Sequence, residues 1–354
     1  MARTLLTHAA LVLVAIWLVR HSFVATANTS DESGSAWIEN KYEYLSALVP
    51  FTNWFRFGDA AASGTMHAAL WNGSAWDLHL SNRMAASAVL GLFLGQLVSA
   101  GSEGGGNAAA TAETMRVLDA GCGWGGSTFF LEDRLQEALR QRTGDSQQRP
   151  PTVLYEGLTL APTQARAANA MAKDRGISSR ARFFVASYEE PLPSSEYNVV
   201  LAIESLEHTS NLTRTLAHFS KAMVTGARLV VLTDVLAHES ERDEPTTRAY
   251  RRHWCGPHTG SWLPPAGLAR WQASLRDAGL GLVSHQDLSP QLHHRAKWGL
   301  GAYFSVLLHV HAAARWAGLE SLAFTLSTQI GGVARELLLH KDSISYSFMV
   351  ARKE

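Results

Sequence analysis

Val117-Leu118-Asp119-Ala120-Gly121-Cys122-Gly123-Trp124-Gly125-Gly126-Ser127 is the stretch on which the reading of this 354-residue chain turns. An apolar run enters a glycine-dense turn, and a helical pattern leaves it. Glycines there admit positive φ and let a ligand lie against bare backbone. The following helix offers its first N–H groups and the positive end of its dipole to something polar or anionic. A dinucleotide-binding loop uses the same physics, so the glycines alone leave the ligand open.

Outward from this loop, strand-like and helix-like segments alternate. Strands are expected at 116–120, 153–160, 181–186, 198–203 and 228–235, with helices at 128–140, 163–175 and 212–224 between them. In the third helix Leu212, Leu216, Phe219 and Met223 share a face, and Gly176 sits where the second should stop. This alternation predicts an α/β fold, a Rossmann-like parallel sheet covered by helices on both faces. Residues 343–352 alternate weakly and predict a final strand able to enter antiparallel. Residues 82–98 read as an apolar helix, and 143–151 as an inserted loop. The stretch 303–326 is long, apolar and aromatic, either a buried helix, a lid over a greasy substrate or a membrane-facing surface.

Composition narrows the partners. Lys plus Arg and Asp plus Glu both number 31, so no global basic field attracts nucleic acid. Two cysteines make neither a disulfide framework nor, alone, a zinc site, and no metal is expected. At the N-terminus, 5–19 is almost wholly apolar between Arg3 and Arg20, and Thr29 to Ser35 forms a polar linker. Residues 1–27 therefore read as a targeting segment, cleaved signal or membrane anchor. Then come a linker at 28–36, an N-terminal helical cap at 37–110, and the main domain at 111–354 with substrate-lid helices near 290–340. Three sequons, at Asn28, Asn72 and Asn211, bear on the compartment. A glycan on Asn211 would crowd the region of His208. The expected placement is therefore membrane-associated, facing the cytosol or an organelle interior, with secretory entry left open.

Two features of the loop favour S-adenosylmethionine as the ligand. Asp119 puts a carboxylate ahead of the turn, where it can address an ammonium group directly or through water. The D-x-G-x-G-x-G order also lacks the register that cradles a pyrophosphate. The loop resembles the first motif of class I methyltransferases, in the branch holding tocopherol and sterol methyltransferases and cyclopropane fatty acid synthases. Residues 157–169, GLTLAPTQARAAN, resemble that branch's second strand and helix, and 203–209, IESLEHT, its segment after the fourth strand. The resemblance implies cofactor contacts from Asp119, Gly121, Cys122, Gly123 and Gly125. It also implies contacts from Thr159 and Gln164, and from His67 in an N-terminal segment covering the cofactor. The sequence departs from the wider class in two places. Thr159 stands nearest the usual ribose carboxylate, Glu156 comes too early, and Ser187 and Tyr188 replace the aspartate expected near the adenine.

Glu204, Glu207 and His208 fall just past the fourth strand, at the sheet edge where open α/β folds bind ligands. Two carboxylates and an imidazole within five residues form an acid–base cluster. The resemblance matches Glu204 and His208 to recurrent catalytic positions, and Glu207 to those of some branches. Asp234 ends the fifth strand and is expected to face the pocket, while the adjacent His293 and His294 read as surface. The expected activity is methyl transfer to a lipophilic acceptor of sterol, tocopherol or prenylated-quinol type. Cyclopropane formation on a fatty acyl chain stays open, as does a secreted binding protein with a degenerate site. Oligomeric state is not legible.

Overall fold

The computed structural model of the chain describes residues 70–71, 76–77, 80–102, 114–143, 152–238, 244–256, 266–292 and 299–354. Two short strands, β1 (Leu70–Trp71) and β2 (Trp76–Asp77), pair antiparallel and precede helix α1 (Leu80–Ser102). Ala85, Ala86, Val89 and Phe93 of α1 are buried at helical spacing.

The core is a seven-stranded sheet. β3 (Met115–Ala120), β4 (Val153–Thr159), β5 (Ala181–Val185), β6 (Tyr197–Ile203) and β7 (Met223–Leu236) run parallel, joined by α2 (Gly126–Thr143), α3 (Pro162–Asp174) and α4 (Leu212–Ala222). Each expected strand and helix lies within a few residues of its observed bounds, except that β7 starts five residues early. Met223 and Val224, expected in the last turn of the third helix, begin that strand instead. Gly176 has φ +69 and ends α3, its N–H donating to Lys173 O at 2.9 Å. The expected insertion at 143–151 lies almost wholly outside the described residues.

The far half was not legible in the alternation. It holds α5 (Pro245–Tyr250), α6 (Leu268–Asp277) and β8 (Leu280–Asp287). Two helices follow, α7 (Leu300–Trp316) and α8 (Glu320–His340), and then β9 (Ile344–Lys353). The strand order is β5-β4-β3-β6-β7-β9-β8, and β9 runs antiparallel to both of its neighbours. The helices before this last strand form a hairpin and not a crossover, and the strand enters antiparallel as expected. Two antiparallel helices, α7 and α8, return the chain to the sheet edge from which β8 left, so β9 re-enters in the opposite sense. The apolar stretch read as one unit over 303–326 is this hairpin, broken at Gly318, whose φ is +70. No helix among the described residues is long and apolar enough to cross a membrane. The apolar run 5–19 lies outside them.

α5 continues into a wider turn, Arg251–Cys255, closed by the N–H of Gly256 donating to Arg251 O five residues back at 3.1 Å. α8 packs directly on this turn because residue 331 is glycine. A Cβ there would stand 2.4 Å from the carbonyl oxygen of His253. At Gly332 an added Cβ would meet only the Trp254 ring, at 3.8 Å. The paired substitutions therefore separate close approach from helix propensity. Gly331→Ala should lose about 1–3 kcal/mol through overpacking. Gly332→Ala should be neutral or gain up to about 1 kcal/mol. Urea denaturation of the two variants checks this.

Candidate active site

The glycine loop turns out of β3 at the carboxyl edge of the sheet. Its backbone is spent partly on itself: the N–H groups of Gly121 and Cys122 both donate to Leu158 O, at 2.9 and 2.8 Å. Gly121 has φ +90, and a Cβ on it would lie 2.3 Å from that of Ser205. Ser205 Oγ in turn donates to Ala120 O at 2.6 Å. The loop after β3 and the loop after β6 are thus locked together, with Gly121 at the contact. Gly125 is packed likewise, under Phe129 and Phe183. Gly123 differs: at φ +54 an added Cβ would meet nothing within 4 Å. Open space lies against this one bare position of the turn, which suits a ligand held close to backbone.

Asp119 is buried at the end of β3 and accepts from Thr128 Oγ1 at 2.7 Å, in the first turn of α2. Burial pushes its carboxyl up to about 6, against the opposing hydrogen bonds from Thr128. Cys122 has its side chain buried in the core, 2.9 Å from where a Cβ of Gly157 would stand, and its carbonyl accepts from Gly125 N at 2.8 Å. Thr159 Oγ1 donates to Gln164 Oε1 at 2.7 Å and accepts from Ala161 N at 3.2 Å, bracing the turn into α3. Glu156 accepts from Tyr197 and Ser194. Ser187 Oγ accepts from Glu189 N at 3.1 Å, and Tyr188 donates to Ser205 O at 2.8 Å while packing edge-on against Phe219. His67, His293 and His294 lie outside the described residues.

The acid–base cluster is assembled at the end of β6. Glu204 adopts φ +49, a left-handed conformation that costs a non-glycine residue energy and is concentrated at functional sites. Its N–H donates to Leu232 O at 2.7 Å, which pins it to β7. His208 is buried, and its Nδ1 lies 3.0 Å from Cys255 O. A carbonyl only accepts, so Nδ1 carries the proton and the lone pair of the neutral ring is on Nε2. The wide turn that ends α5 is what aims that carbonyl.

Three residues beyond the sequence expectation complete the cluster. Arg335 of α8 grips Asp234 with both arms, Nε to Oδ2 at 2.6 Å and Nη2 to Oδ1 at 2.7 Å. Its Nη2 also lies 3.6 Å from Glu204 Oε1. Tyr250 donates to Asp234 Oδ2 at 2.6 Å. The Arg335 guanidinium stands 5.2 Å over the ring of Tyr346, the residue paired with Asp234 across β7 and β9. Burial works against the charge on Arg335, but Asp234 and Glu204 outweigh it and raise its pKa. The one arginine of α8, set among apolar residues beside Glu336, was the available signal. Among the described residues no cluster of three or more metal-binding side chains occurs.

The methyltransferase domain family model matches residues 105–285, just over half of the chain, and the chain belongs to that family, the class I S-adenosylmethionine-dependent methyltransferases. A probable chloroplastic tocopherol O-methyltransferase from Oryza sativa subsp. japonica is 29% identical over 118 residues, 33% of this chain and 28% of that protein. The sterol 4-C-methyltransferase strm-1 of Caenorhabditis elegans is 24% identical over 192 residues, 52% of this chain and 50% of its own length. The chain thus spans half or less of these relatives. The structure of a geranyl diphosphate methyltransferase in complex with GPP and sinefungin superposes with a TM-score of 0.57, over 91% of this chain and 100% of that one, at 17% identity. At that identity the likeness establishes the fold.

Gly123→Ala should leave the fold standing at a cost of about 1–2 kcal/mol for the left-handed backbone. It should weaken binding of sinefungin, a ligand of that neighbouring structure, roughly tenfold or more, because the methyl enters the open space of the cradle. Calorimetry reads the affinity; an unchanged value would remove Gly123 from the binding surface.

Glu207 gives a pH prediction. It is buried, its Oε1 accepts from Asp234 N at 3.3 Å, and its Oε2 has no hydrogen-bond partner among the described residues. Burial first, then Asp234 and Glu204, push its carboxyl from 4.5 up to about 8. Between those values the folded chain holds a proton that the unfolded chain has released. Its contribution is therefore full below 4.5 and is lost as pH rises towards 8. Glu207→Gln should match the parent in acid and exceed it by on the order of 1–3 kcal/mol in mild alkali. Denaturation midpoints across pH check the sign.

Proposed function

We propose that this protein transfers a methyl group from S-adenosylmethionine to a lipophilic small molecule of sterol, tocopherol or prenylated-quinol type. The observation that carries the reading is the meeting of two loops at one sheet edge. Gly123 leaves a bare cradle, and Glu204, Glu207 and His208 gather on the loop that Ser205 ties to it. The acceptor class is suggested by the relatives named for tocopherol and sterol, and by the apolar and aromatic surroundings from Tyr250, Trp254 and Tyr346.

S-adenosylmethionine supplies a methyl already activated on sulfonium. What remains for the chain is to align the acceptor and to remove a proton from it. His208, held at Nδ1 by the Cys255 carbonyl, is the group that takes this proton. Glu204, fixed by its backbone bond to Leu232 and by Arg335, keeps a carboxylate at the edge of the site, where positive charge develops on the acceptor. Glu207, protonated below about pH 8, adds no second negative charge beside Asp234.

Incubating the full chain with methyl-labelled cofactor and a lipid extract tests the proposal. Label recovered as a methyl on a sterol, tocopherol or quinol supports it. Label recovered as a ring methylene on an acyl chain would mean cyclopropane formation, and no transfer would mean a binding protein. On the true acceptor, Glu204→Gln and His208→Ala should each cut turnover by about a hundredfold to ten-thousandfold. Their cofactor affinity should stay within a few-fold of the parent. Near-parental turnover in both would make the cluster structural.

A further inference from the structure

Six large apolar side chains on α7, α8 and the turn between them are exposed: Tyr303, Val306, Val310, Trp316, Leu319 and Leu322. Elsewhere only Val185 and Val283 share that property among the described residues. Such a concentration on one hairpin is not the scattered surface hydrophobicity of an ordinary fold. α7 carries no Asp, Glu or Lys, and its one charged residue, Arg315, stands in the last turn, paired with Glu320 at 3.0 Å. Tyr303 and Trp316 mark the two ends of α7, and Trp316 is 92% exposed. Arg315, Arg252 and Glu320 all act on His311, so at this border of the apolar face two cationic groups stand with one acidic group.

We infer that the outer face of the α7–α8 hairpin lies in the interfacial layer of a lipid bilayer with anionic headgroups. The form of the face selects this partner. A helix of 17 residues is about 25 Å long, too short and too exposed on one side to span, and suited to lie in the plane of the interface. Aromatic residues with a polar edge favour that layer, and arginines beside it meet anionic lipid. The inner side of the same hairpin supplies Arg335 to the acid–base cluster, so a bilayer against the outer side brings the site to the source of a lipophilic acceptor. The face meets lipid whichever acceptor is methylated.

Val310→Cys in the full chain, labelled with an environment-sensitive fluorophore, tests the inference. Cys122 and Cys255 are buried and do not compete for the label. Lys173→Cys, on α3 at the opposite edge of the sheet, is the control. The protein is reconstituted in vesicles of phosphatidylcholine with phosphatidylserine. The label at 310 is expected to shift to the blue, to be quenched by spin-labelled lipid and to be protected from aqueous iodide, with the reverse pattern at 173. A label at 310 that iodide reaches in vesicles would overturn the inference. So would one shielded from both quenchers, which would mean that a second copy or another segment of the chain covers the face. An apolar N-terminal tether holding the chain on the vesicle does not alter this reading, because depth at 310 is measured directly. Nor does the outcome depend on methyl transfer.

Discussion

The ion pair between Arg335 and Asp234 ties the parallel half of the sheet to the helical half. Asp234 ends the last parallel strand, and Arg335 comes from a helix 101 residues further on. Around this pair converge the Tyr250 hydroxyl, the ring of Tyr346 and the carboxylate of Glu204. A buried pair of this kind contributes little net stability, because desolvation offsets most of the attraction. Its effect is on arrangement. Losing one partner strands the other charge, a cost on the order of 3–5 kcal/mol, so alternative packings of α8 are strongly disfavoured. Gly331 lies one turn before Arg335 on the same face, and the backbone contact it permits sets the distance at which the guanidinium meets Asp234.

The same packing sets the electrostatics of the cluster. Three acidic side chains and one guanidinium lie at this edge, and they are differentiated by surroundings rather than by type. Asp234 is neutralised by a two-armed partner. Glu207 has lost its water and faces two other carboxylates, so it holds its proton. Glu204 is fastened through its backbone and shares the outer arm of Arg335 at a longer distance. His208 is set by a carbonyl that an ordinary helical turn would have directed elsewhere.

Much of this was legible in the residues. The glycine loop and its two flanking elements follow from local chemistry, since apolar runs, turn glycines and helix spacing act over a few residues. The placement of Glu204, Glu207 and His208 follows from one rule about sheet edges. What lay outside reach is non-local. Leu268, Trp271 and Leu275 have helical spacing, but nothing in them announces β8 beyond. The wide turn at Arg251–Cys255 has no sequence signature. The burial of the Cys122 side chain in the core is likewise visible only in the fold. Arg335, next to Glu336 in an otherwise largely apolar helix, has no local sign of its partner Asp234, which lies 101 residues earlier.

The position of β9 carries a consequence for how the molecule comes together. This strand is a ladder neighbour of both β7 and β8, yet it follows them in the chain, separated from β8 by the whole helical hairpin and from β7 by α5, α6 and β8 as well. Pairing across so long a loop is slow, because closure entropy must be met before any contact repays it. Until it happens, the far edge of β7 is an open strand and β8 has nothing to pair with. Tyr346 is absent from beneath Arg335 until the strand docks. The ring beneath Arg335 and the closure of the sheet therefore come from one and the same strand.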